Sequence, residues 1–240
     1  MLIPNSIYIN QDKLPQYAET YNQKEIINNF YNSLDSKIKT VNVVDILLEN
    51  KDKYLYFKTD HHMTSYGTYL AYTKFCEDVN IKPQNIDKFE LKTVSKEFLG
   101  TFDSKAQVIN QEKDQIDIYL NSYNQDIISA EYDKETTNSI FNKEYLDKKD
   151  KYSFFLNGNN AKVVIKTKVE NDKKLLVIKD SYAHIMAQFL CQNYEEIHFI
   201  DPRYYKASLT EYIKQNNITE ILFLYNVSNI VTDLGILSLR

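Results

Sequence analysis

The sequence predicts an α/β protein in which helices cover both faces of a mostly parallel sheet. Three apolar stretches near the C-terminus, 175–178, 196–200 and 220–225, are predicted strands. Two helical patterns, 183–193 and 206–216, connect them through short loops. This β-α-β-α-β order is typical of parallel strands, because each crossover needs a helix to return the chain to the same end of the sheet.

The N-terminal third combines helical patterns with β-branched runs. Apolar residues at helical spacing predict an amphipathic helix over 23–34 and a second helix over 65–79. The β-branched run 40–48 predicts a strand that is followed by a turn. The short apolar run 54–58 directly precedes the polar residues 59–62. Residues 59–62 are therefore expected in a loop that ends at the N-terminus of a helix.

The middle of the chain differs from both ends. Residues 81–170 hold short alternating stretches such as 89–94 and 116–120, and a strong turn signal at 157–160. This pattern predicts a β-rich insertion. We therefore expect a single domain over 1–240, with 81–170 inserted into it.

Length and composition limit the classes of function. The chain has 240 residues, of which 43% are hydrophobic and 26% charged, so it can bury a core. A formal net charge of -4 argues against a nucleic-acid partner, because nucleic acid selects for basic surfaces. Cys76 and Cys191 match no metal-ligand spacing, so we expect no metal and no other cofactor. Because no apolar run is long enough to cross a bilayer and the start does not resemble a signal peptide, we expect a soluble chain.

Two short segments carry the candidate chemistry. The residues 59–62, Thr-Asp-His-His, supply a carboxylate and two imidazoles, and Ser181 follows the predicted strand 175–178. A serine hydroxyl becomes a nucleophile when an imidazole accepts its proton, and a carboxylate orients that imidazole. The sequence therefore predicts a Ser-His-Asp site, provided that the two segments meet in space.

Further polar residues follow the strand ends. Backbone amides at the N-terminus of the helix after Ser181, together with the side-chain amide of Asn226, are candidate donors to an oxyanion. Arg203 is a candidate anchor for an anionic group or a partner of Asp201 in a local ion pair. His184 is a candidate for the pocket wall or for the core. Taken singly, each residue also fits a structural role, such as a helix cap, a turn or packing.

Six stretches along the chain carry a resemblance to a known family, namely 56–62, 98–101, 155–159, 175–183, 201–205 and 222–226. Through them the sequence resembles the DHHW-type proteins of Gram-positive bacteria. These proteins are similar to the SGNH-like O-acetyltransferases that modify exopolysaccharides, such as those acting on alginate. The chain departs from the family pattern at Met63, where the family has tryptophan, and at His184, where asparagine is usual.

The resemblance implies a fold and a set of site residues. The fold would be an SGNH-like three-layer α/β/α arrangement with a circularly permuted order of motifs. Asp60 would be the acid of the triad, His62 the base and Ser181 the nucleophile, and Asn226 would take the place of the oxyanion asparagine. The candidate substrate-binding neighbours are Tyr182, Arg203, His61 and His184.

The resemblance also implies an activity, which is O-acetylation of a polysaccharide through an acetyl-serine intermediate on Ser181. A separate membrane-bound acyltransferase would deliver the acetyl group, and the protein would work outside the cell or at its surface, with the membrane anchor absent from this chain. The same residues would also serve an acetylesterase, in which water is the acceptor. The sequence leaves transferase and esterase open.

Two other classes of function fit parts of the sequence. Asp-His-His also occurs in metal-dependent DHH phosphoesterases, which need further aspartates at strand ends, and Asp45 is the only upstream candidate for one. A non-catalytic polysaccharide-binding or assembly protein with a decayed triad is the second alternative, since 20 tyrosines suit sugar stacking as well as a core.

Overall fold

The computed structural model describes residues 1–239, which form nine strands and nine α-helices within that range. The strands are β1 (Leu2–Ile3), β2 (Glu90–Phe98), β3 (Asp114–Leu120), β4 (Ser129–Glu131), β5 (Thr136–Thr137), β6 (Lys162–Lys166), β7 (Lys174–Lys179), β8 (Glu196–Ile200) and β9 (Glu220–Asn226). The helices are α1 (Ser6–Ile9), α2 (Gln23–Asn32), α3 (Val44–Glu49), α4 (Ser65–Val79), α5 (Thr101–Ala106), α6 (Ser122–Gln125), α7 (Ala187–Leu190), α8 (Leu209–Gln215) and α9 (Val227–Thr232). Short 3-10 helices include Lys151–Phe154 and Ser181–Ala183. None of the helices within residues 1–239 has the length and apolar character needed to span a membrane.

A seven-stranded sheet with the order β1-β9-β7-β8-β6-β4-β5 forms the centre of the molecule. Its first four strands run parallel, whereas β6, β4 and β5 extend it in antiparallel orientation. In register, Ile178 of β7 lies between Ile200 of β8 and Phe223 of β9. The carboxyl ends of these three strands therefore lie level at one edge of the sheet. The predicted α/β class with a mostly parallel central sheet is confirmed.

An aromatic cluster joins the helices to the smaller sheet that β2 and β3 form. Phe189 of α7 lies at its centre, with ring centroids 5.6 Å from Tyr72 of α4, 5.9 Å from Tyr119 of β3 and 5.6 Å from Phe89, which precedes β2. Aromatic pairs at such separations add stabilisation beyond the apolar area that they bury. The cluster thus fixes the β2–β3 pair against helices α4 and α7.

Two local predictions were wrong. The run 40–48 contains helix α3 instead of a strand: the Asn42 side chain accepts a hydrogen bond from the Val44 amide at 3.1 Å, and Val44 and Leu47 are buried one turn apart. Packing of this helical face therefore overrides the β-propensity of valine and isoleucine. The helix expected over 183–193 is reduced to the four residues of α7, because the preceding turns bond from i to i−3.

Residues 81–170 are divided between the two sheets. Strands β2 and β3 pair only with each other, whereas β4, β5 and β6 belong to the central sheet. The expected turn at 157–160 is present, with Asn157 and Gly158 at positive φ. The interpretation of 81–170 as one insertion in a single domain stays a prediction, and its β-rich character follows from these strands.

Gly67 lies in the first turn of α4, where the helix packs on the backbone of Leu55. Its substitution by alanine tests how close this packing is. An added Cβ would overlap the backbone carbonyl of Leu55, which cannot rotate away. We expect Gly67→Ala to lower the free energy of unfolding by about 1–3 kcal/mol, measured by urea denaturation. The exposed α4 position Glu77 is the control, and Glu77→Ala should change stability by less than about 0.5 kcal/mol. Wild-type stability in Gly67→Ala would contradict this close packing.

Candidate active site

Asp60, His62 and Ser181 form one hydrogen-bonded row. The Oδ1 atom of Asp60 lies 2.6 Å from Nδ1 of His62, and Nε2 of His62 lies 2.8 Å from Oγ of Ser181. These contacts fit an imidazole that donates from Nδ1 and accepts the serine hydroxyl at Nε2. Asp60 and His62 are buried, and Ser181 is partly exposed. The row can move a proton from the serine oxygen to the imidazole, while the carboxylate stabilises the resulting charge.

The buried carboxylate of Asp114, at the start of β3, holds the loop that carries Asp60. It accepts hydrogen bonds from the backbone amides of Lys58 at 2.9 Å and Thr59 at 2.7 Å, and from the Thr59 hydroxyl at 2.6 Å. The Tyr54 hydroxyl also donates to it. Strand β3 therefore fixes the acid-base loop through Asp114. Sequence reasoning missed Asp114, because a contact across 55 positions leaves no local pattern.

Both carboxylate oxygens of Asp60 accept hydrogen bonds. Its Oδ1 accepts from the backbone amide and Nδ1 of His62, and its Oδ2 accepts from the Thr101 amide at 2.8 Å. Burial acts to raise the pKa of this carboxyl, but the hydrogen bonds and charges of His62 and His61 outweigh it, so the net pKa lies below the ordinary value. Asp60 is therefore ionised at neutral pH, as an orienting carboxylate requires. Thr101, like Asp114, was not singled out from the sequence.

A second buried carboxylate, Asp180, holds the loop that carries Ser181. It accepts from the backbone amides of Tyr182 at 2.9 Å and Asn226 at 2.8 Å, and from the side-chain amide of Asn229 at 2.8 Å. Burial raises the pKa of Asp180 although these hydrogen bonds oppose the shift. The serine is thereby fixed between the ends of β7 and β9.

Tyr182 and His61, two of the expected substrate-binding neighbours, connect the two loops. The Tyr182 hydroxyl donates to the backbone carbonyl of His61 at 2.6 Å, and this tyrosine is buried. The ring of His61 lies 3.8 Å from that of His62 and bonds through Nδ1 to the Thr101 hydroxyl at 2.6 Å. Burial, followed by repulsion from His62, lowers the pKa of His61 to about 4, so its ring is neutral at pH 7.

The expected oxyanion donors, Asn226 and the Tyr182 amide, form other hydrogen bonds in the structure, and an oxyanion role for them stays a prediction. Both amide hydrogens of Asn226 are used, at 3.1 Å to the carbonyl of Ile3 and 2.6 Å to the side chain of Asn5. The expected helix after Ser181 begins as a three-residue 3-10 turn, and its Tyr182 amide donates to Asp180. Asn226, the last residue of β9, thus braces this strand against β1 through these two hydrogen bonds and also caps α9.

The half-buried Arg203 and the buried His184 belong to one polar network with Asp201 and Lys179. Arg203 forms a bidentate ion pair with Asp201, at 2.8 and 2.6 Å, so the local ion-pair interpretation describes it. Lys179 is fully buried and donates to Asp201 at 3.2 Å and to Nε2 of His184 at 2.9 Å. Burial and the Lys179 charge keep the pKa of His184 well below its ordinary value. His184 is therefore a neutral, buried side chain.

Asp60, His61 and His62 also form the kind of cluster that can hold a metal ion, because their ligand atoms lie within 4.8 Å of one another. Two of these atoms already bond to each other, namely Oδ1 of Asp60 and Nδ1 of His62. The Thr101 amide occupies the second oxygen of Asp60. A metal would have to replace these bonds, so the donor set suits a proton relay better than a coordination site.

The arrangement of sheet, strand-end serine and Asp-x-His loop defines an SGNH-like α/β protein. Residues 1–200 match the family described as DHHW protein, and the chain belongs to that family. The resemblance noted in the sequence is thereby confirmed. No curated protein matches the sequence.

Solved structures show the same fold. A DHHW family protein from Eubacterium siraeum is 27% identical, with a TM-score of 0.85 over 98% of this chain and 78% of that chain. Bacillus cereus PatB1 is 22% identical, with a TM-score of 0.82 over 95% of this chain and 82% of that one. The O-acetyltransferase domain of Pseudomonas putida AlgJ is 10% identical, with a TM-score of 0.53 over 95% and 74%. The SGNH-like fold is therefore confirmed.

Substitution of Gly100 by alanine tests how tightly the Asp60 carboxylate is enclosed. An added Cβ at Gly100 would overlap the side chain of Asp60, so the carboxylate would have to leave its present position. We expect Gly100→Ala to weaken the hydrogen bond between Asp60 and His62. The downfield proton NMR signal of the His62 Nδ1–H should shift or disappear in this variant. Glu77→Ala, at an exposed position of α4, should retain the signal; an unchanged signal in Gly100→Ala would contradict the enclosure.

Buried neutral histidines predict a loss of stability in acid. The pKa values of His61, His184 and His198 are all lowered, with burial as the largest cause. The unfolded chain protonates these rings near pH 6.5 whereas the folded chain does not, so unfolding takes up protons as the pH falls from about 6.5 towards 4. Urea denaturation should therefore give a lower free energy of unfolding at pH 5 than at pH 7. In His184→Gln this difference should shrink by about 1–2 kcal/mol, and an undiminished difference would be inconsistent with a buried neutral His184.

Proposed function

We propose that the protein is a serine acyltransferase of the SGNH-like type that O-acetylates a polysaccharide, or an esterase that uses the same residues with water as the acceptor. The single observation that carries this proposal is the row from Asp60 through His62 to Ser181, with hydrogen-bonding distances of 2.6 and 2.8 Å. Membership of the DHHW family and a fold shared with the AlgJ O-acetyltransferase domain support it.

The first half-reaction acetylates Ser181. As its oxygen forms a bond to the carbonyl carbon of the acetyl donor, its proton passes to Nε2 of His62. The tetrahedral intermediate then collapses, the bond to the leaving group breaks, and the imidazolium returns the proton to that group. Asp60 keeps the imidazole oriented and offsets its positive charge throughout.

The second half-reaction transfers the acetyl group to the acceptor. A sugar hydroxyl gives its proton to His62 and attacks the acetyl carbonyl, after which the Ser181 oxygen leaves and regains a proton. Water in place of the sugar gives an esterase. Transfer is favoured where the acceptor is held in attack geometry and water is excluded.

The partners and location belong to the same proposal. The acceptor is a polysaccharide of the cell surface or its surroundings, and a membrane-bound acyltransferase supplies the acetyl group. Structural similarity to the AlgJ O-acetyltransferase domain supports acetyl transfer, and the acceptor and the acetyl-supplying partner follow from the family resemblance. The protein accordingly works outside the cytoplasm.

Replacement of the nucleophile tests the proposal directly. We expect Ser181→Ala to lower the hydrolysis of a chromogenic acetyl ester by about 10³-fold or more, because the covalent intermediate cannot form. An aryl sulfonyl fluoride should label the wild type at Ser181, as seen by peptide mass spectrometry, and should not label the variant. Bacillus cereus PatB1 has been solved with a sulfonyl adduct, which makes this reagent class suitable.

Two controls sharpen the test. Ser122, an exposed serine at the start of α6, serves as the matched position, and Ser122→Ala should hydrolyse the ester and be labelled like the wild type. Exhaustive chelation should leave activity unchanged. Activity that survives in Ser181→Ala, or that chelation removes and Mn²⁺ restores, would replace this proposal with the metal-dependent alternative or another chemistry.

A further inference from the structure

The face of the His62 imidazole is covered by a residue that sequence reasoning did not single out. Tyr152 lies in the 3-10 helix Lys151–Phe154 and is 6% exposed. Its ring is parallel to that of His62, with an interplanar angle of 6° and a centroid separation of 3.6 Å. This is face-to-face contact over the whole imidazole, closer than the 5.1 Å between His62 and Tyr182.

The same residue also contacts the nucleophile. The Tyr152 hydroxyl donates to the backbone carbonyl of Ser181 at 2.9 Å, a carbonyl that also accepts from the His184 amide at 3.2 Å. Burial raises the pKa of Tyr152 well above its ordinary value, so the hydroxyl keeps its proton and its role as a donor. One side chain thus fixes the plane of the base and the backbone of the nucleophile.

The opposite face of the imidazole is covered by His61, with a centroid separation of 3.8 Å and an angle of 37°. The two edges are held by Asp60 and Ser181. Because His61 is neutral at pH 7, it adds no repulsion when His62 gains a proton. Of the two rings that cover His62, only the phenol ring of Tyr152 is both electron-rich and parallel to the imidazole.

We propose that Tyr152 is a positioning residue that stabilises the His62 imidazolium formed when Ser181 loses its proton, through its aromatic face, while its hydroxyl holds the Ser181 backbone. This inference rests on the proposed function. The negative face of an aromatic ring attracts a cation by about 0.5–2 kcal/mol, and more where water is excluded. The transfer of the Ser181 proton creates the stabilised charge on His62 in the transition state, so the stabilisation acts on the rate of the reaction and not on substrate binding.

A purely structural role for Tyr152 would depend on its shape, whereas the proposed role depends on the electron density of its ring. We therefore compare phenylalanine at position 152 with phenylalanine analogues carrying increasing numbers of ring fluorines, introduced by nonsense suppression. Fluorination withdraws electron density from the ring face and leaves its shape nearly constant. Two quantities are measured for each variant: kcat and KM for acetyl-ester hydrolysis, and the second-order rate of sulfonylation of Ser181.

Across the series we expect kcat and the sulfonylation rate to fall stepwise with fluorination, by about tenfold in total, at nearly constant KM. Tyr152→Phe itself should lose no more than about threefold, because the Ser181 carbonyl keeps the His184 amide as a donor. A flat series, in which both rates are independent of fluorination, would overturn the inference.

A second pair of variants separates a local effect from general destabilisation. Tyr152→Leu removes the ring over His62, and Tyr72→Leu removes an equally buried tyrosine that stacks on Phe189. At temperatures where both variants are folded by circular dichroism, only Tyr152→Leu should show the loss of kcat. Equal kcat in the two would also overturn the inference. Failure of the proposed function is recognised separately. In that case Ser181→Ala would still hydrolyse the ester, and the Ser181 peptide of the active wild type would carry no sulfonyl label.

Discussion

The hydrogen bond between His62 and Ser181 joins two segments that lie 119 positions apart, and the candidate chemistry depends on it. Neither segment has the conformation of a regular strand or long helix at this point, so each needs other residues to fix it. A buried carboxylate does this on both sides: Asp114 binds the backbone ahead of Asp60, and Asp180 binds the backbone around Ser181. Charged acceptors make stronger hydrogen bonds to backbone amides than neutral ones do, which suits loops that must hold a geometry within tenths of an ångström.

The two carboxylates nearest the row differ in their electrostatic state. The hydrogen bonds and charges of the neighbouring imidazoles keep the pKa of Asp60 below its ordinary value, whereas burial raises the pKa of Asp180 against the hydrogen bonds that it accepts. A negative charge is thus concentrated at the far end of the imidazole, where it stabilises a proton on Nε2. The cation Lys179 is compensated by Asp201 and donates to His184, so its charge is satisfied within the polar network that they form.

Much of the architecture was predictable because it depends on local pattern. The three apolar strands that became β7, β8 and β9 and the helix α4 follow from periodicity and topology. A Ser-His-Asp site was predicted on the condition that residues 59–62 and Ser181 meet in space, and the hydrogen bonds of Asp60, His62 and Ser181 meet that condition. Their catalytic roles stay predictions of the account.

The remainder was not predictable, because it depends on contacts between residues far apart in sequence. Val44 and Leu47 form a helix in a run whose composition favours a strand, since burial of one helical face decides the conformation. Asn226 was expected to face the serine, yet its amide hydrogens go to Ile3 and Asn5, a contact across more than 220 positions. The stacking of Tyr152 on His62 likewise has no signature in a chain rich in tyrosine.

The central claim, that Ser181 carries the acyl group between donor and acceptor, is tested most directly by stopping the reaction during turnover of an acetyl ester and mapping modified peptides by mass spectrometry. The account predicts a single acetyl group on the Ser181 oxygen, formed at least as fast as product is released. Steady turnover with Ser181 unmodified at every time point, and with the acetyl group absent or on another residue, would contradict it.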